Sequence, residues 1–201
     1  AGVSPILHRY CLINKQVKTY QYATFKPGAV VGAAIGATGD YFDRATALYN
    51  VGCRFFCIDV AHGHHTHVKR ALETLRAKWG DEITIMAGNV ATLAAFDDLV
   101  SWGANFVRSG IAGGKVCTTK VVTGCGLPTL QTVLDCAASE TDGYIVADGG
   151  IKNSGDIVKS FAAGADFVML GSLLSCCEES PGDQRVNAAG EYEKLYRGMA
   201  S

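Results

Sequence analysis

The sequence predicts an α/β fold of the (β/α) barrel kind, and three observations carry that expectation. Near-continuous apolar runs alternate with amphipathic segments, as they do when a parallel sheet is buried on both faces by helical crossovers. A short pattern recurs as Val51-Gly52-Cys53-Arg54-Phe55-Phe56, Trp102-Gly103-Ala104-Asn105-Phe106-Val107 and Ala163-Gly164-Ala165-Asp166-Phe167-Val168. Each copy ends a helix, places glycine at a left-handed cap and enters a strand. Finally, glycine and polar residues cluster just after several strands, where parallel α/β folds carry their sites. A rim of such clusters favours a barrel, because an open doubly wound sheet concentrates its site at one switch point.

Taken in order, strands are expected at Val3–Leu7, Ala29–Ile35, Phe55–Val60, Ile83–Met86, Asn105–Val107, Tyr144–Ala147 and Phe167–Leu170. Helices are expected at Tyr41–Tyr49, Thr66–Lys78, Leu93–Ser101, Leu130–Ala138 and Gly155–Ala162. Roughly seven strands can be read where a closed barrel has eight. A first strand before residue 1 and further barrel after Ser201 are therefore expected to lie outside this sequence. No linker or low-complexity tract divides it, so residues 1–201 read as a single, incomplete catalytic domain.

Composition narrows the class. The 201 residues are 48% hydrophobic and 18% charged, with a net charge of −1, which describes a globular chain with no field to attract nucleic acid or anionic membrane. Neither partner is expected. The opening Ala1-Gly2-Val3-Ser4-Pro5 is not a signal peptide, and no apolar stretch approaches the roughly 20 residues of a membrane span. The eight cysteines contain no Cys-x-x-Cys pair. They read as free thiols in a reducing, cytoplasmic setting.

The post-strand loops carry the chemistry. Gly110-Ile111-Ala112-Gly113-Gly114-Lys115-Val116-Cys117-Thr118-Thr119 places a cysteine among small residues that leave room for a ligand. A thiolate there would be a nucleophile; an incidental thiol on a glycine turn is the plainer alternative. Lys115 would lower that thiol's pKa, touch a phosphate, or simply lie in solvent. Asp148-Gly149-Gly150 and Gly171-Ser172 follow consecutive strands. Paired glycine loops at that place in a barrel bind phosphate through backbone N–H groups. The Asp148 carboxylate suits a ribose diol beside that phosphate, unless it merely caps the turn. Asp59 precedes Ala61-His62-Gly63-His64-His65-Thr66-His67. Those histidines lack a completing ligand at zinc spacing, and Asp59 is the better candidate, as a hydroxyl acceptor for a second ligand.

In combination these stretches resemble the inosine-monophosphate dehydrogenase and guanosine-monophosphate reductase family. The match runs through Ile6–Tyr10, Val31–Gly36, Ile58–His64, Ala87–Thr92, Gly114–Thr119, Ala147–Ile151, Met169–Ser172, Glu178–Gly182 and Tyr196–Met199. The resemblance implies a (β/α)8 TIM barrel, a homotetramer, and a purine nucleoside monophosphate attacked at C2 by Cys117, with Thr119 helping to position the reacting group. It assigns Asp148 to the ribose, Gly149, Gly150, Gly171 and Ser172 to the phosphate, and Gly198 and Met199 to the base. Asp59, with Val60, Ala61, Ile111 and Ala112, falls where the family meets its nicotinamide cofactor, NADPH or NAD. The carbonyls of Ala112, Gly114 and Cys117 fall where many members hold a monovalent cation, K+. Ala112-Gly113-Gly114 departs from the usual Gly-Pro-Gly or Gly-Ser-Gly of that loop.

The direction of reaction follows from finer features. Only Arg9 to Gly28 separates the first two strands, too little for the paired regulatory (CBS) module that dehydrogenases usually insert. Lys115 and Thr123-Gly124 resemble one branch of reductases, whereas Asn153–Val158 and Ser172-Leu173-Leu174 resemble dehydrogenases. The expected activity is therefore reductive deamination of GMP to IMP. A dehydrogenase lacking the insert (IMP and NAD to XMP) is the alternative, and a flavin- or nucleotide-binding barrel without this chemistry is the alternative of a different class.

Overall fold

The computed structural model describes residues 3–25, 28, 30–178, 180, 182–196 and 198. Strands and helices alternate as β1 (Ile6–Leu7), α1 (Ile13–Thr24), β2 (Gly32–Ile35), α2 (Tyr41–Asn50), β3 (Phe55–Asp59), α3 (Thr66–Trp79) and β4 (Thr84–Val90). They continue as α4 (Leu93–Ser101), β5 (Phe106–Ser109), α5 (Thr119–Thr123), α6 (Thr129–Cys136), β6 (Tyr144–Asp148), α7 (Ser154–Ala162) and β7 (Phe167–Met169). A two-stranded antiparallel hairpin follows, β8 (Gln184–Val186) and β9 (Tyr192–Lys194).

The seven strands β1 to β7 pair in chain order, and every pair is parallel. A doubly wound sheet reverses its strand order at a switch point; here there is no reversal, so the sheet is the wall of a (β/α) barrel. Alternation along each strand separates two cores. The outward face (Ala33, Ile35, Phe56, Ile58, Ile85, Val107, Ile145) packs with the buried helical residues Leu48, Leu72, Leu75, Phe96, Leu99 and Val133. The inward face holds a smaller cluster of Ala34, Cys57, Met86 and Val146, edged by Phe55, Phe106 and Met169.

The recurring glycines behave as their pattern requires, with φ of +96° at Gly52, +109° at Gly103 and +107° at Gly164. Each lets the chain leave a helix and turn at once into a strand. Thr92 and Asn153 cap α4 and α7, accepting from the amides of Ala95 and Asp156.

Several expected boundaries shift. β1 is shorter than Val3–Leu7, and Ala29 lies outside the described residues. β5 runs two residues past Val107 and thereby takes in Arg108. Helix α1, which fills the link between β1 and β2, was not expected, because its mean hydropathy is low and few of its residues reach the core. Gln16 and Tyr20 are the ones it buries. No helix among the described residues is long and apolar enough to cross a membrane.

Candidate active site

The site is assembled by inward-facing residues at the carboxyl ends of β3 to β6. On β3, Cys57 and Asp59 are two apart and share the inner face; on β5 it is Arg108, on β6 Asp148. Between β3 and β5 lies β4, whose residue in register with both Asp59 and Arg108 is Gly88. A Cβ there would stand 2.6 Å from the Cβ of Arg108. The missing side chain is what lets the arginine cross β4.

Arg108 makes that crossing. Its Nη1 donates to Asp59 Oδ1 at 2.8 Å and lies 3.3 Å from Cys57 Sγ, while its Nε donates to Asp148 Oδ2 at 3.1 Å. Its side chain is 13% exposed. Burial by itself disfavours the charge; Asp148, then Cys57 and Asp59, outweigh it and hold the guanidinium pKa well above the ordinary arginine value. Asn89 Nδ2 donates to the same Asp148 oxygen at 2.7 Å and to the Gly110 carbonyl at 2.7 Å. Asp148 Oδ2 is thus doubly held by protein, while its Oδ1 accepts no hydrogen bond among the described residues. Arg9 Nε donates to the Asp59 carbonyl at 3.2 Å, pinning that strand end from the β1 side.

The cysteine loop is clamped onto β6 by backbone contact. Gly110 has φ +131°, and a Cβ there would collide with the Asp148 carbonyl. A Cβ on Gly149 would lie 2.9 Å from Gly113 C and from Gly114 N. Thr129 Oγ1 donates to the Asp148 carbonyl at 3.2 Å and closes the same junction. The loop then turns, with the Cys117 amide donating to the Gly114 carbonyl at 3.2 Å. The half-buried Cys117 lines a cleft of about 290 Å³.

That cleft gathers most of the expected site. Asp59, Val60, Ala61, Ile111, Ala112, Gly114, Cys117, Thr119, Asp148 and Gly149 all line it. So do Tyr10, Asn89 and Arg108, for which no role was expected. Gly150, Gly171 and Ser172 stand on the adjoining loops of β6 and β7 rather than in the cleft wall. The segment after β9 returns to this rim. A Cβ on Gly171 would lie 2.9 Å from Tyr196 Oη, and Lys194 Nζ donates to the carbonyls of Cys177 and Ser180 at 2.7 Å each. Gly198 is half-buried, and Met199 lies outside the described residues.

Two ion questions can be tested on this geometry. The histidine run is engaged in structure. His65 caps α3 by accepting from the His67 amide, and His64 pairs with Asp98 at 2.8 Å and stacks on Trp102. No group of three or more ligating side chains stands together among the described residues. As for a monovalent cation, the Gly114 carbonyl is turned onto the Cys117 amide. One of that oxygen's two lone pairs is thereby engaged and the other is left for a ligand.

Comparisons agree with the geometry. The IMP dehydrogenase / GMP reductase domain profile matches residues 4–201. The chain is 47% identical over 174 residues to an inosine-5'-monophosphate dehydrogenase of Halalkalibacterium halodurans, covering 86% of this chain and 36% of that protein. It is 45% identical to the corresponding protein of Bacillus subtilis, covering 86% and 35%. The crystal structure of the Legionella pneumophila inosine 5' monophosphate dehydrogenase superposes with a TM-score of 0.85 at 45% identity, covering 97% of this chain and 58% of that one. The chain thus spans about a third of the length of the curated relatives it matches. With a (β/α) barrel wall, a cysteine loop clamped to β6 and a profile match over nearly its whole length, the chain belongs to the IMP dehydrogenase / GMP reductase family.

Proposed function

We propose that this chain carries the nucleophile half of an NAD-dependent IMP dehydrogenase site. The carrying observation is that one cleft brings Cys117 together with Asp148 and Asp59, in a chain whose relatives at 40–47% identity are named inosine-5'-monophosphate dehydrogenase. Those names favour the dehydrogenase over the reductase expected from the short β1–β2 link and Lys115. The link is a single 12-residue helix, a feature that separates chains with and without a regulatory module rather than the two reactions.

In this reading the free Oδ1 of Asp148 accepts from the ribose hydroxyls, and the amides of Gly149, Gly150, Gly171 and Ser172 meet the 5'-phosphate. This fixes the purine so that C2 faces the thiolate of Cys117, which adds there and forms a C–S bond. NAD, held along Asp59, Val60, Ala61, Ile111 and Ala112, would accept the hydride that leaves C2 when the C2–H bond of the adduct breaks. The resulting cysteine–purine bond is cleaved by water, with the sulfur leaving as thiolate and XMP as product. Thr119, on the cleft wall beside Cys117, orients the reacting edge of the base. A homotetramer in the cytoplasm, with K+ held by the Ala112, Gly114 and Cys117 carbonyls, belongs to the same reading.

The test is turnover of the purified protein on two substrate pairs. NADH formation from IMP and NAD is the expected result. Ammonia release from GMP with consumption of NADPH, and no reaction of IMP, overturns the dehydrogenase assignment in favour of the reductase.

A further inference from the structure

Cys57 is a buried thiol that the proposed chemistry does not use. It sits two residues before Asp59 on the inner face of β3, among Ala34, Met86 and Val146. Its apolar neighbours offer no polar partner, yet its sulfur lies 3.3 Å from Nη1 of Arg108, the same nitrogen that donates to Asp59 Oδ1. Arg108 reaches over β4 in one direction and to β6 in the other. Its Nε end meets Asp148 on the ribose side, and its Nη1 end meets Asp59 on the cofactor side. A planar guanidinium holds its donors in a fixed fork. Its two ends therefore cannot move independently, and displacement of either carboxylate by a ligand is transmitted to the other.

We propose that Arg108, seated from below by Cys57, is a positioning residue that couples the nucleotide and nicotinamide subsites of this cleft. The inference rests on the proposed function for the identity of the two ligands. Burial keeps the Cys57 pKa above the usual cysteine range, so at neutral pH the group is a thiol. Its sulfur acts as a weak acceptor, which steers the guanidinium without competing for its charge. Cys57 is not among the residues that line the cleft, so a substitution there reaches the ligands through Arg108 and not by direct contact.

Coupling is measurable as the factor by which IMP changes the affinity for NAD, and by linkage the reverse factor is equal. The full chain carrying Cys117→Ala binds both ligands without turnover, and calorimetric titration gives the factor. Cys57→Val removes the acceptor at similar volume. It is expected to reduce the coupling factor about three- to tenfold, the range for one modest hydrogen bond, while each ligand alone loses less. Cys57→Ser, which keeps an acceptor, is expected to restore most of the factor. Arg108→Lys, which keeps the charge but cannot span both carboxylates, is expected to lose it as well, and supplies the test should the valine variant fold poorly. Binding of both ligands with a coupling factor unchanged by Cys57→Val or Arg108→Lys overturns the inference and leaves the proposed function standing. Failure of the Cys117→Ala parent to bind either nucleotide overturns the proposed function, and this inference with it.

Discussion

The two ends of the barrel's inner face are built from the same strands and share almost nothing chemically. At the amino ends stand Phe55, Phe106, Tyr144 and Phe167, with ring centroids 5.1–6.0 Å apart. Four residues further along β3 and β6, and two along β5, the same face presents Asp59, Asp148 and Arg108. The aromatic end is held by area and dispersion, which tolerate substitution as long as volume is kept. The polar end is held by directed bonds between buried charges, where losing one partner strands another. Stability and function are thus divided along the strand axis, and mutations at the two ends should be separable.

The largest expected effect is on chemistry. Cys117→Ala should lower turnover by about a thousandfold or more, as removal of a nucleophile does, with nucleotide binding retained in titration. Activity within a few-fold of the parent would mean that the polar end does not act through this thiol. Next is Gly88→Ala, whose new Cβ would stand 2.6 Å from the Arg108 Cβ and 2.9 Å from its carbonyl oxygen. Overpacking of that kind costs about 1–3 kcal/mol. Denaturant unfolding should register it, and nucleotide affinity should fall with it because the arginine's path is blocked.

Asp148→Ala should weaken nucleotide binding by about 2 kcal/mol, within the range for hydrogen bonds to a charged group. Comparison with a 2',3'-dideoxy nucleotide sharpens the result, since the substitution and the missing diol should not add. If the dideoxy compound binds the unmodified protein as well as its parent does, the ribose role is wrong. At the other end, Phe106→Ala should cost about 1–2 kcal/mol of stability, below the range for a fully buried phenylalanine because this ring is partly exposed. Nucleotide affinity should not change. A parallel loss of affinity would break the separation between the two ends.

Most of the fold was legible because strands buried on both faces announce themselves as apolar runs, and the Gly-capped entries to β3, β5 and β7 marked their starts. The hairpin of β8 and β9 was not: all three residues of β8 are exposed, so no alternation betrays it. Helix α1 escaped because the two positions it buries are Gln16 and Tyr20, not an aliphatic stripe. In the cleft, Cys117 was readable from its place in a glycine-rich loop after β5, and Asp59 and Asp148 from their place at strand ends. Arg108 was missed because a charged residue following Asn105-Phe106-Val107 reads as the strand's end, whereas it is an inward-facing strand residue. Asn89 was seen as part of a polar cluster, but its role as second donor to Asp148 depends on a register between β4 and β6 that one-dimensional patterning does not contain.

The backbone contact between Gly113 and Gly149 sets how closely the cysteine loop lies against β6. Neither position has room for a side chain, and at each the obstruction includes main chain of the other. A substitution at one cannot be relieved by shrinking a residue at the other, because both are already glycine. In this chain the closeness of the cysteine loop to β6 is therefore set by main chain against main chain, and a proline or serine at position 113, which the resemblance gives as usual for the family, would require the two backbones to stand further apart.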